Sequence, residues 1–155
     1  MNKAIVAGSF DPFTNGHLTI VKKAADIFDE VIVVIGVNAN KTRHYQSEKI
    51  CEAINTTLSE EGLINCRCVC FSGPIAMYCK ENGIKYTVRG LRNNMDFHYE
   101  SEITKINRLV NPDLETVYLP ADNDAISSSM VREFLQLGLE VENYVPTEIM
   151  KLLKG

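Results

Sequence analysis

"KAIVAGSFDPFTNGHLTIVKKAADIFDEVIVVIGV" (residues 3–37) sets two apolar runs on either side of a turn and a stretch of helical period. "KAIVAG" reads as a buried strand running into a glycine turn. "GHLTIVKKAADIF" then places Leu18, Val21, Ala25 and Phe28 at helical spacing. "EVIVVIGV" is an unbroken β-branched run, the pattern of a strand covered on both faces. Strand, helix and strand in that order form one unit of a parallel sheet.

The same alternation continues along the chain. "NANKTRHYQ" (38–46) has no period and reads as a polar loop. Ser47 is placed to cap a helix running to Glu61, with Gly62 at its C′ position. "CRCVCFS" is a third strand, and "PIAMYCKEN" a short helix with Pro74 at N1 and Gly83 at its end. "IKYTVRG" is a fourth strand. The helix after "LRNN" carries Tyr99, Ile103, Ile106 and Val110 on one stripe. "ETVYLPA" is a fifth strand, "SSMVREFLQLG" a helix ending at Gly138, and "VPTEIMKLLK" a closing amphipathic helix. Five β-α repeats imply an α/β fold, a doubly wound five-stranded parallel sheet with helices on both faces. No repeat, linker or low-complexity tract interrupts it, so residues 1–155 are expected to form one domain. Ligands of such sheets bind outside the carboxyl ends of the strands, at the topological switch point.

Composition narrows the class. The 155 residues are 45% hydrophobic and 23% charged, ordinary values for a globular chain. A net charge of −4 disfavours non-specific nucleic-acid binding but permits a local pocket for a small anion. The longest apolar run, Val31 to Val37, is too short to span a bilayer, and Met1 leads straight into the first strand. No membrane partner and a cytoplasmic location are therefore expected. Cysteines at 51, 66, 68, 70 and 79 are odd in number, which argues against a closed disulfide framework. Cys66, Cys68 and Cys70 alternate along a strand and read as small apolar residues on one face.

Four stretches carry chemistry. In "GSFDPFTNGH" (8–17), Gly8 ends a strand, Asp11-Pro12 and Asn15-Gly16 are turn dipeptides, and His17 falls in the first turn of the helix. Unpaired N–H groups and a partial positive charge make that helix start a phosphate site. The motif is neither G-x-G-x-x-G nor a P-loop. Lys41 lies in the loop after the second strand. Arg89 and Arg92 flank Gly90 at the end of the fourth strand, where two guanidinium groups clamp a polyanion. Ser127, Ser128 and Ser129 open the fifth helix, a second phosphate cradle. Each stretch also admits a plainer reading: a structural cap for His17, a solvated lysine, surface ion pairs, a capping serine. Their coincidence at four strand ends favours a substrate with several phosphates. No carboxylate pair and no Ser-His-Asp order accompanies them, so the chemistry expected is positioning and charge neutralisation.

"GSFDPFTNGH" resembles the G-[ST]-F-D-P-x-T-x-G-H signature of the nucleotidylyltransferase superfamily. "RGLRNNMDFHYE" (89–100), "ISSSMVRE" (126–133) and "NYVP" (143–146) are similar to blocks of the bacterial phosphopantetheine adenylyltransferase family, and the likeness runs from Ala4 to about Leu152. The resemblance implies a Rossmann-like nucleotidylyltransferase fold and adenylyl transfer from ATP to 4′-phosphopantetheine. The products would be dephospho-coenzyme A and pyrophosphate, formed in line, with Mg²⁺ bound mainly through the ATP phosphates and no covalent intermediate. It also implies a homohexamer and coenzyme A as a feedback ligand. By position, His17 would bind the ATP phosphates and stabilise the transition state, with Lys41 bridging the attacking and α-phosphates. Ser9 would touch both substrates, and the Phe10 backbone would approach the nucleotide. Gly90, Leu91, Arg92 and Glu100 would line the ATP site, and Ser127, Ser128 and Ser129 would hold the β- and γ-phosphates. Arg89 would hold the acceptor phosphate, while Ile75 and Asn107 would meet the pantetheine arm. Three positions depart from the family pattern: "GPIAM" (73–77), His98 in place of glutamate, and a 119–129 loop about two residues short.

Overall fold

The computed structural model describes residues 1–38, 40–92, 104–122 and 125–155. Its elements are β1 (Lys3–Gly8), α1 (Asn15–Ile27), β2 (Glu30–Val37), α2 (Ser47–Glu60), β3 (Cys66–Ser72), α3 (Ile75–Glu81) and β4 (Tyr86–Leu91). Helical residues 104–110 (α4), β5 (Glu115–Pro120), α5 (Ser128–Gln136) and α6 (Thr147–Lys154) follow. The five strands form one parallel sheet in the order β3-β2-β1-β4-β5, as the β-α alternation requires. The chain winds outward from β1 to β3, then returns to lay β4 on the other side of β1. The switch point therefore falls between β1 and β4.

Register at that point shapes the molecule. β1 pairs with β2 over six residues, Lys3↔Glu30 to Gly8↔Ile35, but with β4 only at Ala4↔Tyr86 and Ile5↔Thr87. Beyond Ile5 and Thr87 the two central strands part. The opening is held from both sides, because β2 stays zipped to β1, and β4 stays paired to β5 as far as Leu91↔Pro120.

Burial follows the strand period. Val31, Val33 and Ile35 of β2 enter the larger core with α1, α2 and α6, and Ile32 and Val34 enter a smaller one with α3. All five are at most 1% exposed. The edge strand β3 is closed by α2: the Asn55 side chain accepts from Cys68 N–H at 2.8 Å and donates to Cys68 C=O at 3.1 Å. That amide occupies backbone groups which an edge would otherwise offer to another strand. All five cysteines are free thiols. Cys68 and Cys79 are buried, and burial pushes the thiol of Cys66 up to about 11 and that of Cys79 up to about 12. They pack as apolar residues. Cys70, at the far end of the same strand face, is exposed.

Several local expectations shift. Ser47 is the first helical residue of α2 and is buried, with Gln46 at the N-cap and no side-chain cap bond. Pro74 is the N-cap of α3, its ψ of 131° extended, so the helix begins one residue later than the proline suggests. On α1 the buried alanine is Ala24, and Ala25 is half-exposed. Of the stripe on α4, Val110 packs against the smaller core while Ile106 is 61% exposed. Tyr99 and Ile103 lie outside the described residues.

The layer formed by α2 gives a stability test. Ile54 is fully buried and Ile64 is 98% exposed. Urea denaturation should show Ile54→Ala losing about 2–5 kcal/mol. Ile64→Ala should stay within about 0.5 kcal/mol of the parent chain.

Candidate active site

Where β1 and β4 part, a cleft of about 400 Å³ opens at the carboxyl ends of the strands. Val6, Ala7 and Gly8 form one wall and Val88, Arg89 and Gly90 the other. Ser9, Phe10, Thr14, Gly16 and His17 close it from the β1–α1 turn, with Arg92 on the rim. Ala121, Ile126, Ser127 and Ser128 close it from the β5–α5 side. The lining holds two arginines, a histidine and several hydroxyls, and among the described residues no carboxylate. Gly90 packs closely on α1, where an added Cβ would stand 3.1 Å from Ile20 Cδ1 and that side chain would have to shift. At Gly8 a Cβ would meet the Phe10 ring at 3.2 Å, so the small residue makes room for Phe10.

His17 is held by the helix it begins. Thr14 is the N-cap of α1: its Oγ1 accepts from His17 N–H at 3.3 Å, and His17 Nδ1 accepts from Thr14 N–H at 2.9 Å. This is a capping box with histidine at N3 in place of the usual Glu or Gln. Because Nδ1 accepts a backbone proton, the neutral ring carries its own proton on Nε2. Phe10 and Phe13 pack on the ring at centroid distances of 4.9 and 5.5 Å. Burial, then Arg92, then Arg89 hold the imidazole well below its ordinary 6.5, down to about 4. At neutral pH the residue is an uncharged, oriented N–H donor. Arg89 leans on β1 through Nη1 to Ala7 C=O at 3.2 Å.

The turn between β1 and α1 is tied down from behind. Arg43 Nη1 donates to Ser9 C=O at 2.5 Å and Nη2 to Phe10 C=O at 3.4 Å. Arg132 Nη1 donates to Asp11 C=O at 2.6 Å, and Ser128 Oγ to Pro12 C=O at 2.7 Å. The Asp11-Pro12 bond is cis, and Phe10 adopts a φ of 45°, a left-handed conformation rare for a bulky side chain. The Asp11 carboxylate faces away from the cleft, taking the N–H groups of His44 and Tyr45 at 2.9 Å each and His44 Nδ1 at 3.1 Å. Burial pushes its pKa up, but the bonds from His44 and Tyr45 and the nearby Arg43 outweigh that and leave it below 3.8.

Residues 5–134 match the cytidylyltransferase-like family. The chain is 38% identical over 152 residues to the phosphopantetheine adenylyltransferase of Leptospira biflexa, covering 97% of this chain and 94% of that one. It is 41% identical over 157 aligned positions to the phosphopantetheine adenylyltransferase of Leuconostoc mesenteroides, covering 99% and 95%. The chain belongs to the phosphopantetheine adenylyltransferase family. It is thus an enzyme of the nucleotidyltransferase class. A crystal structure from Vibrio parahaemolyticus assigned as a nicotinate-nucleotide adenylyltransferase superposes with a TM-score of 0.74 at 18% identity. It covers 99% of this chain and 93% of its own, and shows the shared Rossmann-like fold.

The family's motifs acquire physical roles in this chain. "NYVP" anchors the start of α1: Tyr144 C=O accepts from Asn15 N–H at 2.8 Å, and Asn143 C=O accepts from Asn15 Nδ2 at 3.1 Å. Of the residues singled out in the sequence, Ser9, Phe10, His17, Arg89, Gly90, Arg92, Ser127 and Ser128 line the cleft. Leu91 ends β4, and Ser129 is exposed, its Oγ 3.4 Å from Arg132 Nη2. Lys41 is exposed in the β2–α2 loop at the same end of the sheet, outside the lining. Ile75 begins α3 and Asn107 sits half-buried on α4, both apart from the cleft lining. Glu100 and His98 lie outside the described residues, as do positions 123 and 124 of the short loop.

The serines divide their work. Ser127 Oγ caps α5 by accepting from Met130 N–H at 3.1 Å, and Ser128 Oγ is committed to Pro12. The first α5 backbone bond is Val131 N–H to Ser127 C=O, so the N–H groups of Ser128 and Ser129 stand ahead of the helical ladder. Sequence reasoning overlooked Thr14, Arg43 and Arg132. The Thr14–His17 spacing of three is itself the capping-box signal; the two arginines had no local signal.

The neutral His17 makes a linked prediction. The unfolded chain takes a proton at His17 below about 6.5, whereas the folded chain does so only near 4. Stability from this residue is complete above pH 6.5 and is lost as pH falls toward 4. Urea midpoints between pH 7 and 4 should fall more steeply for the parent than for His17→Gln, which keeps an acceptor for Thr14 N–H. Equal slopes would rule out the half-buried neutral ring.

Proposed function

We propose that the cleft transfers the adenylyl group of ATP to 4′-phosphopantetheine, giving dephospho-coenzyme A and pyrophosphate, the penultimate step of coenzyme A synthesis. The observation that carries this reading is a lining, without a carboxylate among the described residues, in which Arg89, Arg92, His17 and the starts of α1 and α5 meet, in a chain of this family. Two phosphorylated substrates fit such a lining, since guanidinium groups and helix starts both favour phosphate oxygens.

The chain's own residues would act as follows. The β- and γ-phosphates of ATP would lie at the start of α5, against the Ser127 hydroxyl and the N–H groups of Ser128 and Ser129. His17 would donate Nε2–H to the α-phosphate, where negative charge builds as the acceptor attacks. A neutral donor fixed on two sides needs no reorganisation at that moment. Arg92 would neutralise the triphosphate from the rim, and Ser9 and the Phe10 backbone would hold the nucleotide against β1. Gly90, Leu91 and Glu100 would complete the ATP site. Arg89, leaning on Ala7, would hold the acceptor phosphate, and Lys41 would bridge it to the α-phosphate. Ile75 and Asn107 would meet the pantetheine arm. The acceptor oxygen forms its bond to the α-phosphorus as the bond to the pyrophosphate oxygen breaks, in line, with no enzyme-bound intermediate. The donor set of the lining suits anions rather than a bare cation, so Mg²⁺ would enter with the ATP phosphates and supply further charge neutralisation. A cytoplasmic location, assembly as a homohexamer and feedback by coenzyme A belong to the same reading. Among the described residues no helix is long and apolar enough to cross a membrane.

Incubation with ATP, Mg²⁺ and 4′-phosphopantetheine should release pyrophosphate, while pantetheine without its phosphate should release none. Turnover with nicotinate mononucleotide in place of the acceptor would overturn the assignment. His17→Ala should lower kcat about a hundredfold or more, the loss of one oriented transition-state donor. Arg89→Ala should chiefly raise KM for the acceptor, and a change confined to KM for ATP would reassign that residue.

A further inference from the structure

Arg43 lies outside the cleft lining, and the reading above leaves it without a task. The present inference rests on that reading. Its side chain is 16% exposed. Nε donates to Tyr45 C=O at 2.9 Å, Nη1 to Ser9 C=O at 2.5 Å and Nη2 to Phe10 C=O at 3.4 Å, with Asp11 Oδ1 3.9 Å from Nη2. A planar fork joined to three carbonyls has a fixed place, unlike a surface arginine swaying in water.

The two carbonyls taken from the turn belong to the peptide planes on either side of Phe10. Fixing both planes fixes that residue's φ and ψ. Phe10 is the one non-glycine residue with positive φ among the described residues, and such a conformation persists where the surroundings over-determine it. The backbone determines where the ring goes. The Phe10 ring stands edge-on to the His17 imidazole, at 4.9 Å and 82°. One chain of contacts therefore runs from the guanidinium through the Phe10 backbone and ring to His17.

We infer that Arg43 is a positioning residue for adenylyl transfer. It holds Phe10 in its left-handed conformation and so keeps the Ser9–Phe10 main chain and the His17 ring where the triphosphate meets them. It acts through the shape of its fork, not through its charge. The acceptor side is supported separately, because Arg89 leans on Ala7 rather than on the turn.

Arg43→Lys keeps the charge and loses the fork, and Arg43→Gln loses both. Displacement of a reacting group by a fraction of an ångström should lower kcat about 10- to 100-fold in both variants and weaken ATP binding by calorimetry. KM for the acceptor should change less than the affinity for ATP, since Arg89, which would hold the acceptor phosphate, leans on Ala7. The His17 imidazole resonances should shift in both variants, and methylguanidinium should restore part of the kcat of Arg43→Ala. Wild-type kcat in Arg43→Lys would overturn the inference by showing that charge alone suffices. So would a lowered melting temperature with kcat and the His17 resonances unchanged, which is what a merely structural tie produces. If Arg43→Gln fails to fold, Arg43→Lys and the rescued Arg43→Ala decide. A parent chain that binds ATP but makes no pyrophosphate with the acceptor overturns the acceptor reading. In that case ATP affinity and the His17 resonances of the variants still decide the role of Arg43.

Discussion

Four consecutive carbonyl oxygens, from Ser9 to Pro12, are each bound by a donor from a distant part of the chain. The rest of the site depends on that commitment. A carbonyl oxygen facing a phosphate repels it, so an anion-binding turn needs its oxygens on the other side. In a trans peptide the C=O and N–H point in opposite directions. Holding the Ser9 and Phe10 oxygens against Arg43 therefore aims the N–H groups of Phe10 and Asp11 away from it. The donors come from the β2–α2 loop and from α5, so the loop that carries Lys41 and the helix that carries the serines are fastened to the turn that carries His17. Three stretches far apart in sequence become one rim.

The end of β4, facing that rim, accounts with it for the state of the histidine. Arg89 and Arg92 lie close enough to disfavour a third positive charge, and Phe10 and Phe13 pack against its ring. Each alone lowers the pKa of an imidazole. Acting together with a backbone proton aimed at Nδ1, they leave one protonation state and one tautomer. A histidine with a pKa of about 4 is a poor proton shuttle at neutral pH and a good fixed dipole. That suits the proposed reaction, in which charge moves between phosphate oxygens and little proton transfer is needed from the protein.

Much of this was legible in the sequence, for a physical reason. β-Branched runs such as Val31–Ile35 and the helical period after Gly16 are local signals, and their alternation leaves few topologies. His17, Arg89 and Arg92 stood out because chemistry-bearing residues fell at strand ends, where parallel sheets place their ligands. Boundaries fared less well. Ser47 and Pro74 were each set one position from their true place, since serine and proline suit both the cap and the first turn. Arg43 and Arg132 could not be read at all. Their partners lie 34 and 121 residues away, and nothing local tells an arginine that bonds a remote carbonyl from one that faces water.

A chain of net charge −4 that reads as a polyanion site needs its charges sorted rather than reversed. Over distances beyond about 8–10 Å, salt screens exposed carboxylates from the cleft, so only the nearest charges matter. Among the described residues the lining has no carboxylate, and Asp11, in the same turn, spends its charge on His44, Tyr45 and Arg43. Its carboxylate is thus the counterpart of the arginine that holds the turn. The acid draws Arg43 and the 43–45 backbone in, and the arginine binds the Ser9 and Phe10 carbonyl oxygens. One negative group near the site removes partial negative charge from the site itself, which is how an acidic residue can belong beside a pocket proposed to hold phosphates.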